Sequence, residues 1–433
     1  MNSLHIRGGQ QLNGTITISG MKNAALPIIY ATVLTGASCT IDNIPYVSDI
    51  LKSLDILEGM GATVTMHTRN SVTIDTSNLV PCTSSYNLAN EIRGSSYLIG
   101  AEIGRFGKTR VARPGGCSIG GRPIDLHIKA MEALGAELVT ENGCVVGSVP
   151  DRLVGTTINF DKVSVGATVN AILASVMAEG TTVIENAARE PHIVDLAVFL
   201  NRCGASVLGA GTSTIRVRGV ASLHGCNHSV IPDMIEAGTY MVAVAATGGR
   251  VTLRNVIPKH MESVSIKLRE MGVIVEETDD TLTVISDGNL KPVKLETAPY
   301  PGFPTDMQPQ FGALLCFTKG VGTVKETIFE SRFRYVDELC KMGAEIDVSG
   351  NVALFHGGAR MTGAPLESTD LRAGAALVIA ALASKGESVI TNIETIERGY
   401  YNIVGKLTSV GAVIEKEEKK ETSSDELCRR RFG

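Results

Sequence analysis

The sequence predicts an α/β protein with helices inside and sheets outside, an inside-out barrel of six repeats of about 70 residues, three in each of two domains. Two recurring phrases and one compositional feature carry this reading. The first phrase is the end of a helix running through a glycine into a strand: L-E-G-M-G-A-T-V, M-E-A-L-G-A-E-L, L-N-R-C-G-A-S-V, L-R-E-M-G-V-I-V, L-C-K-M-G-A-E-I and L-T-S-V-G-A-V-I. Its glycines, Gly61, Gly135, Gly204, Gly272, Gly343 and Gly411, follow one another at intervals of 74, 69, 68, 71 and 68 residues. Glycine just past the last helical turn is the expected left-handed cap, and the Thr, Val and Ile beyond it favour a pleated strand. The second phrase, an Ala-rich helix, a glycine and a β-branched strand, is clearest as A-T-V-L-T-G-A-S-C-T-I-D-N, A-S-V-M-A-E-G-T-T-V-I-E-N, A-V-A-A-T-G-G-R-V-T-L-R-N and A-L-A-S-K-G-E-S-V-I-T-N.

The compositional feature is the helices themselves. Ala174–Ala178, Ala237–Thr247 and Ala373–Ala383 are apolar around most of their circumference, so they belong in the interior, the reverse of a TIM barrel. The alternative for the same helices is a layer sandwiched between two others. A period near 70 exceeds that of common solenoid repeats, which favours two closed domains over an open array.

Composition narrows the class. With 433 residues, 44% hydrophobic and 20% charged, the chain is globular and long enough for two or three domains. Forty Lys plus Arg against 45 Asp plus Glu gives a formal charge of −5, so the bulk balance points to neither nucleic acid nor a membrane surface as partner. The start, M-N-S-L-H-I-R-G-G-Q-Q-L, has no apolar signal core, and the longest apolar stretch, Ala375–Ala383, is too short to span a bilayer. A cytoplasmic location is expected. Nine cysteines without a C-x-x-C pair fit neither a disulfide framework nor a zinc site, and most are expected to be small buried hydrophobes. His224 and His228 are four apart, but Gly225 and its neighbours predict a loop rather than a helical ligand pair. No metal and no cofactor is expected.

Just past the second strand of successive units, where equivalent strand ends would face one cleft, lie N-I-P-Y-V-S-D, R-P-G-G-C-S-I-G-G-R-P, N-A-A-R-E-P-H-I-V-D, F-E-S-R-F and I-E-R-G-Y-Y, and four further chemistry-bearing phrases join them along the chain. S-G-M-K-N-A-A-L-P sets Lys22 and Asn23 at the start of an apolar helical run, where an anion meets both an ammonium and free backbone N–H groups. N-I-P-Y-V-S-D follows. R-P-G-G-C-S-I-G-G-R-P then holds Cys117 between Arg113 and Arg122. Its glycines allow close approach to a ligand, and its cations favour thiolate, lowering a thiol pKa from about 8.5. The alternative is a surface turn with an incidental cysteine. Further on come D-K-V-S-V-G-A-T with Lys162, N-A-A-R-E-P-H-I-V-D, F-P-T-D-M-Q with Asp306, F-E-S-R-F, D-L-R-A-G with Asp370 and Arg372, and I-E-R-G-Y-Y. Asp306 alternatively serves as a turn or N-cap carboxylate, and Arg372 as a partner of nearby Asp370.

Through S-G-M-K-N-A-A-L-P, P-G-G-C-S-I-G-G-R-P, D-K-V-S-V-G-A-T, E-N-A-A-R-E-P, F-P-T-D-M-Q and D-L-R-A, the chain closely resembles the UDP-N-acetylglucosamine 1-carboxyvinyltransferases, a family of enolpyruvyl transferases, over about residues 1 to 415. The resemblance implies an inside-out α/β barrel of two domains, one formed by residues 1–21 and 231–415, the other by 22–230 with a lid carrying Cys117; the charged tail at 416–433 lies outside the match and, being low in apolar residues, is expected to be disordered. It implies transfer of the enolpyruvyl group of phosphoenolpyruvate to the 3-hydroxyl of UDP-N-acetylglucosamine with release of phosphate, the first committed step of peptidoglycan precursor synthesis. By motif match, Lys22, Arg122 and Arg398 would hold phosphoenolpyruvate, supported by Arg93 and Arg372. Cys117 would be the general acid and the target of fosfomycin, and Asp306 the base at the sugar hydroxyl. Pro123, Ile124, Asp125 and Leu126 would line the uracil; Lys162, Ser164, Val165 and Gly166 the diphosphate; and Asn23, Arg93, Asp306, Ile328 and Phe329 the sugar and cleft. Met234 and Tyr300 depart from the common pattern, where Arg and His are usual. Two rival readings follow: a shikimate-pathway enolpyruvyl transferase, which would lack the cysteine lid and the D-K-V-S-V-G-A-T loop, and a non-catalytic regulatory paralogue with a protein partner.

Overall fold

Backbone geometry at the recurring glycines is uniform. All six turn glycines have φ between 97° and 101°. At each, the next residue's N–H reaches back five residues, as from Ala62 to Leu57, Ala205 to Leu200 and Ala412 to Leu407, while the glycine N–H reaches back three. This is the Schellman arrangement, which satisfies the last helical carbonyls and turns the chain into the next strand. A φ near 100° lies beyond the left-handed region tolerated by Asn, so only glycine fits without strain.

The computed structural model describes residues 2–113 and 124–418. Cys117, Arg122 and Pro123 of the glycine-rich loop, and the tail from 419 onward, lie outside the described residues.

The architecture is mixed α/β. Among the described residues, five four-stranded sheets share one plan, with a parallel edge pair followed by antiparallel neighbours. The parallel pairs are Thr157–Asn159 with Thr181–Glu185, Asn227–Ser229 with Ser38–Asp42, Leu12–Thr17 with Gly249–Arg254, Lys294–Glu296 with Val321–Lys325, and Pro365–Glu367 with Glu387–Thr391. A three-stranded antiparallel sheet joins Lys108–Ala112, Cys144–Ser148 and Glu137–Glu141.

The Asn that closes the second recurring phrase explains how four of these parallel pairs are pinned. Asn43, Asn186, Asn255 and Asn392 take φ of 55–57°, a left-handed conformation that Asn tolerates. Their carboxamides donate to the carbonyls of Val230, Phe160, Ile18 and Ser368, each at 2.8 Å. Each acceptor is the first residue past the neighbouring parallel strand.

Helices Lys22–Ala31, Leu98–Phe106, Val165–Ser175, Met234–Thr247, Gln308–Leu315 and Leu371–Ala383 are buried along most of their length. Their Ala and Gly residues let backbones approach closely: Met234–Thr247, Gln308–Leu315 and Leu371–Ala383 pack on one another, and Leu98–Phe106 packs on Val165–Ser175. Strands alternate instead, as in Val321–Lys325, with one face buried and the other toward solvent. No helix among the described residues is long and apolar enough to cross a membrane.

The chain passes twice between the segments that carry these helix groups, and the two passages run side by side. Met21 N–H donates to Ile231 O and Asp233 N–H to Ser19 O, both at 2.8 Å, around an antiparallel bridge between Gly20 and Pro232. A Cβ on Gly20 would lie 1.5 Å from the Asn43 carbonyl oxygen, which bars any side chain there.

Two local expectations change. The last strand, Val413–Glu417, runs past the expected boundary at 415, because Lys416 and Glu417 pair in register with Leu4 and Ser3 and Lys416 forms an ion pair with Glu397. His228 sits not in a loop but in the strand Asn227–Ser229, buried against Asp195, its Nε2 3.0 Å from Oδ1.

Candidate active site

Two carboxylates gather three of the predicted cations, Lys22, Arg398 and Arg372. Lys22 is the first residue of its buried helix, and Asp49 lies in the first turn of the helix Ser48–Gly59, where a negative charge suits the exposed N–H groups. Lys22 Nζ stands 3.0 Å from Asp49 Oδ2, and Arg398 Nε donates to Asp49 Oδ1 at 2.9 Å. Side-chain exposure is 7% for Asp49, 11% for Lys22 and 45% for Arg398. Burial alone would raise the Asp49 pKa, but Lys22 and then Arg398 together hold it below the usual carboxylate value. One acid and two bases leave a net positive centre, with the arginine turned toward solvent.

The second carboxylate is Asp306, in the short turn Thr305–Met307 that precedes the helix Gln308–Leu315. Arg332 Nη2 donates to its Oδ1 at 3.0 Å, while Arg372 grips Oδ2 through Nη2 at 3.0 Å and Nε at 3.2 Å. The arginine side chains are 2% and 5% exposed, and Asp306 is 28% exposed. Burial opposes the Arg372 charge, but the Asp306 carboxylate, followed by Tyr400 and Asp233, holds its pKa above the ordinary arginine value. The expected alternative of an Arg372–Asp370 pair is overturned: Asp370 Oδ1 instead caps the helix Leu371–Ala383 by accepting the N–H groups of Arg372 and Ala373, which leaves the guanidinium for Asp306. Nor does Asp306 serve as an N-cap; no side chain caps that turn.

One loop ties the two centres together. Arg398 enters the first, and Tyr400, two residues on, lies under the Arg372 guanidinium at 5.4 Å from the ring centroid. Tyr401 meets Tyr46 edge-on at 6.5 Å, which docks this loop beside the N-I-P-Y-V-S-D segment.

The stretches expected to hold the nucleotide also converge. A Cβ on Gly166 would lie 2.7 Å from the His127 ring, so the first turn of Val165–Ser175 packs against the helix Asp125–Ala133. Ser164 caps the former helix by accepting Ala167 N–H at 3.3 Å, and Lys129 pairs with Asp161 at 2.8 Å. His127 Nδ1 faces the Asn170 carboxamide at 2.6 Å, and Asn170 in turn donates to Ser96 O within the turn Arg93–Tyr97. Burial first, and then the Arg93 charge, push the His127 pKa down to about 4. Asp125 and Lys162 are exposed, Ile124 is buried, and Asn23, Leu126, Val165 and Phe329 are half-buried. Ile328 is exposed, and the Phe329 ring lies 5.7 Å from the Arg332 guanidinium carbon.

Asp49, Arg332 and His192 were not singled out by sequence reasoning, although each falls inside a phrase that was. His192 is buried; burial drives its pKa down to about 4 against the opposing pull of Asp306 and Asp195, which places it within electrostatic reach of Asp306.

With this geometry in hand, comparison with known proteins is decisive. The family model described as EPSP synthase (3-phosphoshikimate 1-carboxyvinyltransferase) matches residues 6–407. This chain belongs to that family. A UDP-N-acetylglucosamine 1-carboxyvinyltransferase of Clostridium botulinum is 52% identical over 96% of this chain and 99% of its own length. One from Clostridium acetobutylicum is 53% identical over 96% of this chain and all of its own. Among solved structures, the enolpyruvyl transferase NikO from Streptomyces tendae superposes with a TM-score of 0.87 at 27% identity, covering 97% of this chain and 99% of its own. An EPSP synthase from Acinetobacter baumannii shares the fold, with a TM-score of 0.75 at 20% identity over 96% of this chain and all of its own.

Proposed function

We propose that this enzyme transfers the enolpyruvyl group of phosphoenolpyruvate to the 3-hydroxyl of UDP-N-acetylglucosamine, releasing phosphate, as the first committed step of peptidoglycan precursor synthesis in the cytoplasm. Relatives of that name, at about half identity over nearly the whole chain, carry the reading. The five like sheets and six buried helices support an inside-out barrel of six units in two domains, with residues 22–230 forming one and the flanking segments the other. The paired passages at 19–21 and 231–233 fit that division.

Chemistry follows from the two centres. Lys22 and Arg398, with Arg122, hold the phosphate and carboxylate of phosphoenolpyruvate; guanidinium groups suit both by paired parallel hydrogen bonds. Asp306 takes the proton of the sugar hydroxyl as its oxygen bonds to C2 of phosphoenolpyruvate, while Cys117 gives a proton to C3. Loss of a C3 proton then expels phosphate and restores the double bond in the product. Arg93 and Arg372 supply supporting charge. Asp125 and the Lys162–Gly166 loop hold the nucleotide.

The test is phosphate release on mixing both substrates, with the enolpyruvyl-sugar identified by mass. A regulatory relative would bind and release none, and a shikimate-pathway enzyme would ignore the UDP-sugar. Fosfomycin should add covalently to Cys117; modification at another residue, or none, removes the proton-donor role from that thiol.

A further inference from the structure

We propose that Glu326 is a positioning residue for Asp306, and that it stands where the other sheets of this plan use asparagine. Four of the five four-stranded sheets follow their strand with Asn43, Asn186, Asn255 or Asn392, whose carboxamide ties down the parallel neighbour. In the fifth, the residue after Val321–Lys325 is Glu326.

Its side chain still reaches the first residue past the parallel neighbour, but as an acceptor: Thr297 Oγ1 donates to Oε1 at 2.9 Å. The carboxylate then takes three further donors that an asparagine serving one carbonyl would not. Ile328 N–H and Phe329 N–H donate to Oε1 at 2.8 and 3.2 Å, and Thr305 Oγ1 donates to Oε2 at 3.0 Å. Glu326 is buried, so these four bonds replace its hydration.

Thr305 is the residue before Asp306, and its carbonyl accepts from Arg332 Nη2 at 3.2 Å, the same atom that holds Asp306 Oδ1. Glu326 therefore fixes the Asp306 turn to the Ile328–Phe329 turn. In the proposed reaction this keeps the base aligned with the sugar that the second turn lines. A carboxylate suits the task because it accepts from several directions and donates to none.

The inference rests on the proposed transferase reading, so wild-type phosphate release is measured first; its absence would defeat that reading rather than this one. With turnover established, Glu326→Gln should lower kcat by about 10- to 100-fold while the KM for phosphoenolpyruvate changes less than about twofold, since misplacing a reacting group costs rate more than binding at a separate centre. Thr305→Val should reproduce the loss, Thr305→Ser should recover most of it, and the Glu326→Gln, Thr305→Val double variant should be no slower than the worse single, as expected for two ends of one bond. Should Glu326→Gln not fold, the Thr305 pair still decides. Unchanged kcat in folded Glu326→Gln or Thr305→Val, or losses that multiply in the double variant, would overturn the positioning role.

Discussion

The two charged centres contain the same groups, one carboxylate and two cations, and present them in opposite senses. Around Asp49 the acid is buried and Arg398 reaches solvent; around Asp306 both arginines are buried and the acid is the more exposed group. Equal charge is thus presented in two different ways. In the proposed reaction the first centre offers positive charge to an anion, with its buried carboxylate as an internal brace. The second, in the same proposal, offers a carboxylate to a hydroxyl, with its buried guanidinium groups as the brace.

Removing the exposed member should harm chemistry, and removing the brace should harm structure. The largest effect is expected for Asp306→Asn: a fall in kcat of about 10²–10⁴, the range for a lost acid–base group, with the phosphoenolpyruvate KM little changed. A variant with near-normal turnover would strip the second centre of its proton-transfer role. Asp49→Asn should cost about 3–5 kcal/mol of stability in urea melts, because Lys22 loses a buried counter-charge. Were the urea midpoint to stay put, the brace reading of Asp49 would be wrong.

Acid should separate the centres. His192, near Asp306, has its folded pKa depressed from 6.5 to about 4, so the unfolded chain binds the proton more readily. Stability from keeping this imidazole neutral is present above about 6.5, drains as pH falls toward 4, and amounts to on the order of 3 kcal/mol. Asp49, also depressed, keeps its contribution above the usual carboxylate value of 3.8 and loses it only below, as it protonates. Melts of wild type and His192→Gln between pH 7 and pH 4 should therefore converge, the variant being flatter; parallel curves would contradict the assignment. The smallest effect is expected for Arg398→Lys, which keeps the charge but loses the planar fork. Its phosphoenolpyruvate KM should rise roughly tenfold, about one charge-assisted hydrogen bond, and no rise would argue against a direct contact.

Much of this was legible in the sequence where backbone geometry dictates residue type. The six glycines announced helix ends, and the Ala-rich runs announced interior helices, because both are local requirements of turn and packing. Lys22, Asp306, Arg372 and Arg398 were legible through their phrases. Their partners were not: Asp49 and Arg398 lie 349 residues apart, and no local rule says which cation a buried carboxylate will meet. Arg372 illustrates the difficulty, since Asp370 was the nearer candidate in sequence and the helix N-terminus claimed it first. Glu326 left a faint signal, an acid where the other phrases end in Asn.

The glycine turns have an evolutionary corollary. A side chain at any of those six positions, held near φ 100°, would strain the main chain, whereas the residues around them answer only to size and polarity. Sequence drift would therefore change most positions around these turns while sparing the glycines themselves, so that they stay as fixed marks along an otherwise variable chain.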